Sequence, residues 1–84
     1  MVEREAVIVA EEGLHARPAA EFVKVARGYS SEIKMIKGET QANAKSTLTL
    51  MTLGATKDER VVIRAEGEDE AAAVEALADL ISKG

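Results

Sequence analysis

The chain has 84 residues, a net charge of −4, no cysteine, one histidine and one proline. That length allows a single domain over 1–84, and the missing cysteines exclude disulfides, thiolate nucleophiles and cysteine-based metal sites. The acidic balance and the presence of only two aromatics, Phe22 and Tyr29, argue against a nucleic-acid-binding surface, which needs basic charge and stacking platforms. No apolar run approaches the roughly 18 residues that span a membrane, and the N-terminal MVEREAVIVAEEG lacks the basic start of a signal peptide. A soluble cytoplasmic domain is expected.

The β-branched run Ala6 to Ala10 reads as the first strand. Residues 16–27 read as a helix, because Ala19, Phe22, Val23 and Ala26 recur at i, i+3, i+4 and i+7. Gly28 stops it. Ile33 to Ile36 forms a second strand, and Lys37-Gly38 turns into a third around Thr40 to Ala44. Ser46 is placed as the N-cap of a short helix over TLTLMTL, with Gly54 just past its end. Arg60 to Ala65 alternates as a fourth strand. Residues 69–83 form the last helix, with Val74, Leu77 and Ile81 buried and Ala73 and Leu80 beside them. Acidic residues 68–70 lie where the helix dipole favours negative charge.

The order β-α-β-β-α-β-α, with strands apolar on one side, predicts an α+β open-faced β-sandwich. A four-stranded antiparallel sheet is covered on one face by three helices.

The sole histidine stands in GLHARPAA, residues 13–20, immediately before the first helix. First-turn N–H groups have no intrahelical acceptor, and the helix end carries partial positive charge, so the position favours an anion. A phosphoryl group on the His15 ring would meet those donors, and Arg17 adds a guanidinium fork suited to phosphate oxygens. Pro18 costs little there, since its missing N–H is one of the unpaired donors. With no cysteine and no serine beside an evident base, nucleophilic histidine is the chemistry the chain offers. A lone imidazole is a poor transition-metal site, so neither metal nor cofactor is expected. Taken by itself, His15 also reads as an inert loop residue.

Arg17, Ala20, Lys24 and Arg27 fall on one stripe of the same helix. The stripe is either a solvated face or a docking surface for an acidic partner. In the short helix, Leu48, Leu50, Met51 and Leu53 cannot all hide on one narrow side. Either the helix is simply buried or some of these residues form an exposed apolar patch.

GLHARPAA at 13–20, AKS at 44–46 and TLG at 52–54 resemble the histidine-containing phosphocarrier family of the bacterial phosphoenolpyruvate-dependent sugar phosphotransferase system. The likeness runs over essentially the whole chain. It implies the open-faced sandwich already read from the pattern. It also implies that His15 takes a phosphoryl group on Nδ1 from phosphorylated enzyme I and passes it to enzyme IIA components, with Arg17 holding the group. No turnover of free substrate is implied. Ser46 matches the serine that HPr kinase/phosphorylase modifies in many Gram-positive members, where the seryl-phosphate also recruits a transcription factor. Members without that kinase keep the serine, so cap and phosphosite both stand.

Ala20, Lys24, Arg27, Thr47, Leu48 and Met51 are the expected partner-binding residues. Glu12, Ala20 and Thr47 depart from residues frequent in the family, and none enters the transfer chemistry. A carrier that shows one face to successive partners is expected to be a monomer. A carrier in a parallel, nitrogen-related phosphorelay is the alternative. A purely regulatory module working through Ser46 is disfavoured by the presence of His15.

Overall fold

Alternation organises the sheet. In the computed structural model, which describes residues 1–83, the strands are β1 (Val2–Val7), β2 (Glu32–Lys37), β3 (Thr40–Asn43) and β4 (Arg60–Glu66). The helices are α1 (Ala16–Ala26), α2 (Thr47–Thr52) and α3 (Glu70–Lys83). Strand order is β1-β4-β2-β3, with every pairing antiparallel. Ala6 stands opposite Val61, Met35 opposite both Ile63 and Ala42, and Ile33 opposite Ala65. All of these are buried, so the register lines up one continuous apolar face.

The helices close over that face. Ala19, Phe22, Val23 and Ala26 of α1 are buried, as their spacing predicts. Ala73, Val74, Leu77, Ala78 and Ile81 of α3 join them, while Leu80 is half-buried. Burying a side chain such as Phe22 or Leu77 stabilises by about 1.5–3 kcal/mol. The predicted sandwich is therefore the observed one.

Most predicted boundaries hold or shift by a single residue, and only the first strand is displaced further. The first strand was expected over Ala6 to Ala10 but runs from Val2 to Val7. Its charged start belongs in the sheet because Glu3 pairs with Arg64 and Glu5 lies 3.7 Å from Arg60 on the neighbouring strand. Such exposed pairs contribute about 0–1 kcal/mol each, enough to choose a register and not to drive folding. Val9 is exposed and Ala10 already begins the loop toward α1.

The last helix starts at Glu70, and Asp69 does more than face the dipole. The Asp69 carboxylate accepts from the N–H of Ser30 at 2.8 Å and of Ser31 at 3.0 Å, and from the Ser31 hydroxyl. It clamps the turn before β2 to the turn before α3. Gly67 completes the contact. At φ 153° it lies so close that a Cβ would stand 2.7 Å from Ser31 Cα, which only glycine permits.

The Ser31 hydroxyl, with the Ser30 N–H next, holds the Asp69 carboxyl at about 2, below its ordinary 3.8. A carboxylate depressed in this way stabilises the fold above its unfolded value, and that contribution is lost as pH falls through the folded value. Asp69→Asn is therefore expected to lower the melting temperature near neutral pH and to flatten the acid limb between 3.8 and about 2. Thermal melts across that range, followed by circular dichroism, check both effects. An unchanged acid limb would show that the clamp contributes nothing.

Candidate functional site

His15 is the last residue before α1. Its backbone is extended, at φ −79° and ψ −172°, and its side chain makes no capping bond. The His15 carbonyl accepts from the Ala19 N–H at 2.9 Å. The ring is exposed and is not tied to the helix it precedes. Behind it the N–H groups of Ala16 and Arg17 have no intrahelical acceptor, Pro18 has no N–H, and the first turn contains no acidic residue. The local charge is positive and uncontested by the helix itself.

The position of His15 comes from the loop before it. Gly13 adopts φ 66° and presses on the chain beyond α2, where a Cβ would meet Ala55 O at 2.5 Å and Thr56 Cα at 2.8 Å. The Leu14 N–H donates to Ala55 O at 3.0 Å, and the Leu14 side chain is buried. Residues 55–56 thus form a platform under the histidine loop.

That platform is held in turn. The N–H and hydroxyl of Thr56 donate to the Glu59 carboxylate at 2.7 and 2.8 Å. Lys37 Nζ lies 3.2 Å from Glu59 and donates to Gly54 O at 3.2 Å. Hydrogen bonds from the Thr56 hydroxyl, the Thr56 N–H and then Lys37 keep the Glu59 carboxyl below its ordinary range. Lys57 pairs with Glu11 at 3.0 Å, joining the same segment to the histidine loop. Between them Asp58 sits at φ 72°, a left-handed backbone that costs a non-glycine residue about 1 kcal/mol and needs contacts to hold it.

Arg17 shares the first turn with His15, and its side chain lines a cleft of about 560 Å³ between the β1–α1 loop, α1 and the end of α3. Glu11, Glu12, Glu21 and Lys83 line it too, whereas His15 does not. Ala20 and Lys24 are exposed on α1 and Arg27 is exposed just past its end, and α1 packs beside α2. Arg27 is not a free cation. Its Nε and Nη2 donate to Lys45 O at 3.2 and 3.1 Å. Lys45 Nζ donates back to Tyr29 O at 2.7 Å, so the basic stripe is clasped to the entry of α2.

Ser46 is the N-cap of α2, as expected, accepting from the Thr49 N–H at 3.3 Å and the Thr49 hydroxyl at 2.9 Å. The α2 ambiguity resolves by residue. Leu50 and Leu53 are buried, Thr47 and Met51 are half-buried, and Leu48 is 75% exposed. This open leucine lies three residues after Lys45, whose carbonyl holds Arg27. Sequence reasoning missed the clasp through Lys45 and the platform through Lys37 and Glu59. Each is a long-range contact with no local signature.

Gly13→Ala is expected to destabilise the chain by about 2 kcal/mol or more, combining left-handed strain with overpacking against fixed backbone. Denaturant melts measure it, and a loss below about 0.5 kcal/mol would mean that the loop does not depend on this close approach.

The family described as "PTS HPr component phosphorylation site" matches residues 2–83. The chain is 48% identical over 81 residues to the phosphocarrier protein HPr of Haemophilus influenzae, covering 96% of this chain and 95% of that one. It is 47% identical to the HPr of Borreliella burgdorferi, with 96% and 94% covered. The crystal structure of HPr-C-His from Thermoanaerobacter tengcongensis superposes with a TM-score of 0.92 at 46% identity, covering 96% and 91%. Crh of Bacillus subtilis, described as a domain-swapped dimer, superposes with a TM-score of 0.81 at 37% identity, covering 99% and 95%. Fold and length agree with these relatives, and the chain belongs to the HPr family of phosphocarrier proteins of the phosphotransferase system.

Proposed function

We propose that His15 is the phosphoryl acceptor, charged by phosphorylated enzyme I and discharged to enzyme IIA components of sugar permeases. The carrying observation is an exposed imidazole, unbonded to its own helix, in front of two free N–H groups. The Nδ1 lone pair of the neutral ring attacks phosphorus, an N–P bond forms, and the donor's bond to phosphorus breaks with its electron pair leaving on the donor. Passing the group on reverses this at the next acceptor.

The Ala16 and Arg17 N–H groups and the Arg17 guanidinium receive the phosphoryl oxygens. Each helix-end contact contributes about 0.3–1 kcal/mol, up to ~2 where partly buried. Contacts of that size hold the group without trapping it, which suits a carrier.

Docking uses the stripe of Arg17, Ala20, Lys24 and Arg27, with exposed Leu48 and half-buried Thr47 and Met51 beside it. A basic rim around an apolar knob fits a partner that is acidic around an apolar pocket. A phosphate on Ser46 would put negative charge next to Leu48 and repel that partner. This supports regulation by HPr kinase/phosphorylase, with a transcription factor as the reader of the modified serine.

The working unit is a monomer in this reading. Antiparallel self-pairing of β1 about a two-fold axis must match residues on one face, so Glu3, Arg4 or Glu5 would oppose its own copy. Like charges directly opposite destabilise a strand pair. Sedimentation is expected to give one monomeric species, and a concentration-independent dimer would overturn this point.

Incubation with enzyme I and labelled phosphoenolpyruvate tests the acceptor. Acid-labile label on wild type and none on His15→Ala is expected. Label on both, or on neither with an active enzyme I, would refute His15 as the carrier. Leu48→Ala is expected to raise the concentration needed for half-maximal transfer about tenfold, in line with losing one interface anchor, and to leave the saturating rate unchanged.

A further inference from the structure

The platform under the histidine loop has a single keystone. Lys37 closes β2, and its ammonium reaches two acceptors, Gly54 O and the Glu59 carboxylate, each at 3.2 Å. Gly54 lies at one end of the 54–59 segment and Glu59 at the other, so one cation grips both. Glu59 spends an oxygen on the N–H and hydroxyl of Thr56. Ala55, between Gly54 and Thr56, accepts the Leu14 N–H and carries the close approach of Gly13. The chain of contacts therefore runs from Lys37 through Gly54, Ala55 and Leu14 to His15. No other residue on the sheet side of the segment offers both ends a charged partner among the described residues.

We infer that Lys37 and Glu59 are positioning residues for the transfer at His15. They set the height of the Ala55–Thr56 backbone and, through it, the place of the imidazole relative to the Ala16 and Arg17 N–H groups. They lie outside the stripe and the Leu48 knob, so they act on the rate of transfer and not on partner binding. The inference rests on His15 being the acceptor. Its geometric part, that the ring moves when the keystone is lost, stands independently of that. The physical basis is the steep dependence of group transfer on alignment, where a 1 Å misplacement costs on the order of 100-fold. The contacts here are solvent-facing, so a smaller displacement is expected.

The test compares Lys37→Met, Lys37→Arg and Glu59→Gln with wild type, each first checked by thermal melting. Transfer to enzyme IIA is measured across partner concentration, and the His15 ring shifts are read by NMR. The expected result is a saturating rate reduced about tenfold in Lys37→Met and Glu59→Gln. The half-saturating concentration stays unchanged, the ring resonances shift, and Lys37→Arg recovers most of the rate. If Lys37→Met does not fold, the near-isosteric Glu59→Gln decides alone.

Wild-type rates and wild-type ring shifts in folded Lys37→Met or Glu59→Gln would overturn the inference. So would a loss of rate that tracks lost stability and weaker binding together. Shifted ring resonances in a chain that takes no label on His15 would leave the geometry intact and overturn the carrier reading instead.

Discussion

The contact between the Gly13 backbone and the Ala55–Thr56 backbone governs the functional end of this protein. A glycine at φ 66°, with no room for a Cβ, lets two loops touch main chain to main chain. Backbone cannot change rotamer, so whatever fixes residues 55–56 also fixes the start of α1 and the ring ahead of it. The Leu14 N–H on Ala55 O adds a directional bond, and burial of Leu14 anchors the loop to the core. Rigid placement matters for the role proposed for His15, because alignment carries much of the rate of a group transfer.

Charge is distributed unevenly over a chain that is acidic overall. Several of its carboxylates hold structure together. Glu3 and Glu5 support the β1–β4 register, Glu59 caps the platform, and Asp69 clamps two turns. Arg17, Ala20 and Lys24 face outward, while Arg27 divides its role between the surface and the Lys45 carbonyl. The clasp ties the basic stripe to the entry of α2, the helix that carries the exposed Leu48.

A phosphocarrier must bind its cargo reversibly and show one face to successive partners. In the role proposed for His15, helix-end donors and one guanidinium would give modest, directional stabilisation and no deep pocket, which suits reversibility. The cleft lined by Arg17 lies to one side of the ring and holds three carboxylates. Its mixed charge makes it a poor phosphate site.

The order of elements, the buried faces of α1 and α3, the Ser46 cap and the placement of His15 and Arg17 were legible in the sequence. Each depends on residues a few positions apart, and helix and strand periodicities report such neighbours directly. The family motif at 13–20 is likewise local. The first strand was misplaced because its charges become compatible with a sheet only once β4 supplies Arg60 and Arg64 from more than fifty residues away. The Asp69 clamp, the Arg27–Lys45 clasp and the Lys37–Glu59 platform have the same character. Each joins segments that only the closed sheet brings together, so no pattern along the chain announces them. The tertiary structure also decided which leucine of α2 stays outside, since an amphipathic period over six residues is too short to choose a face by itself.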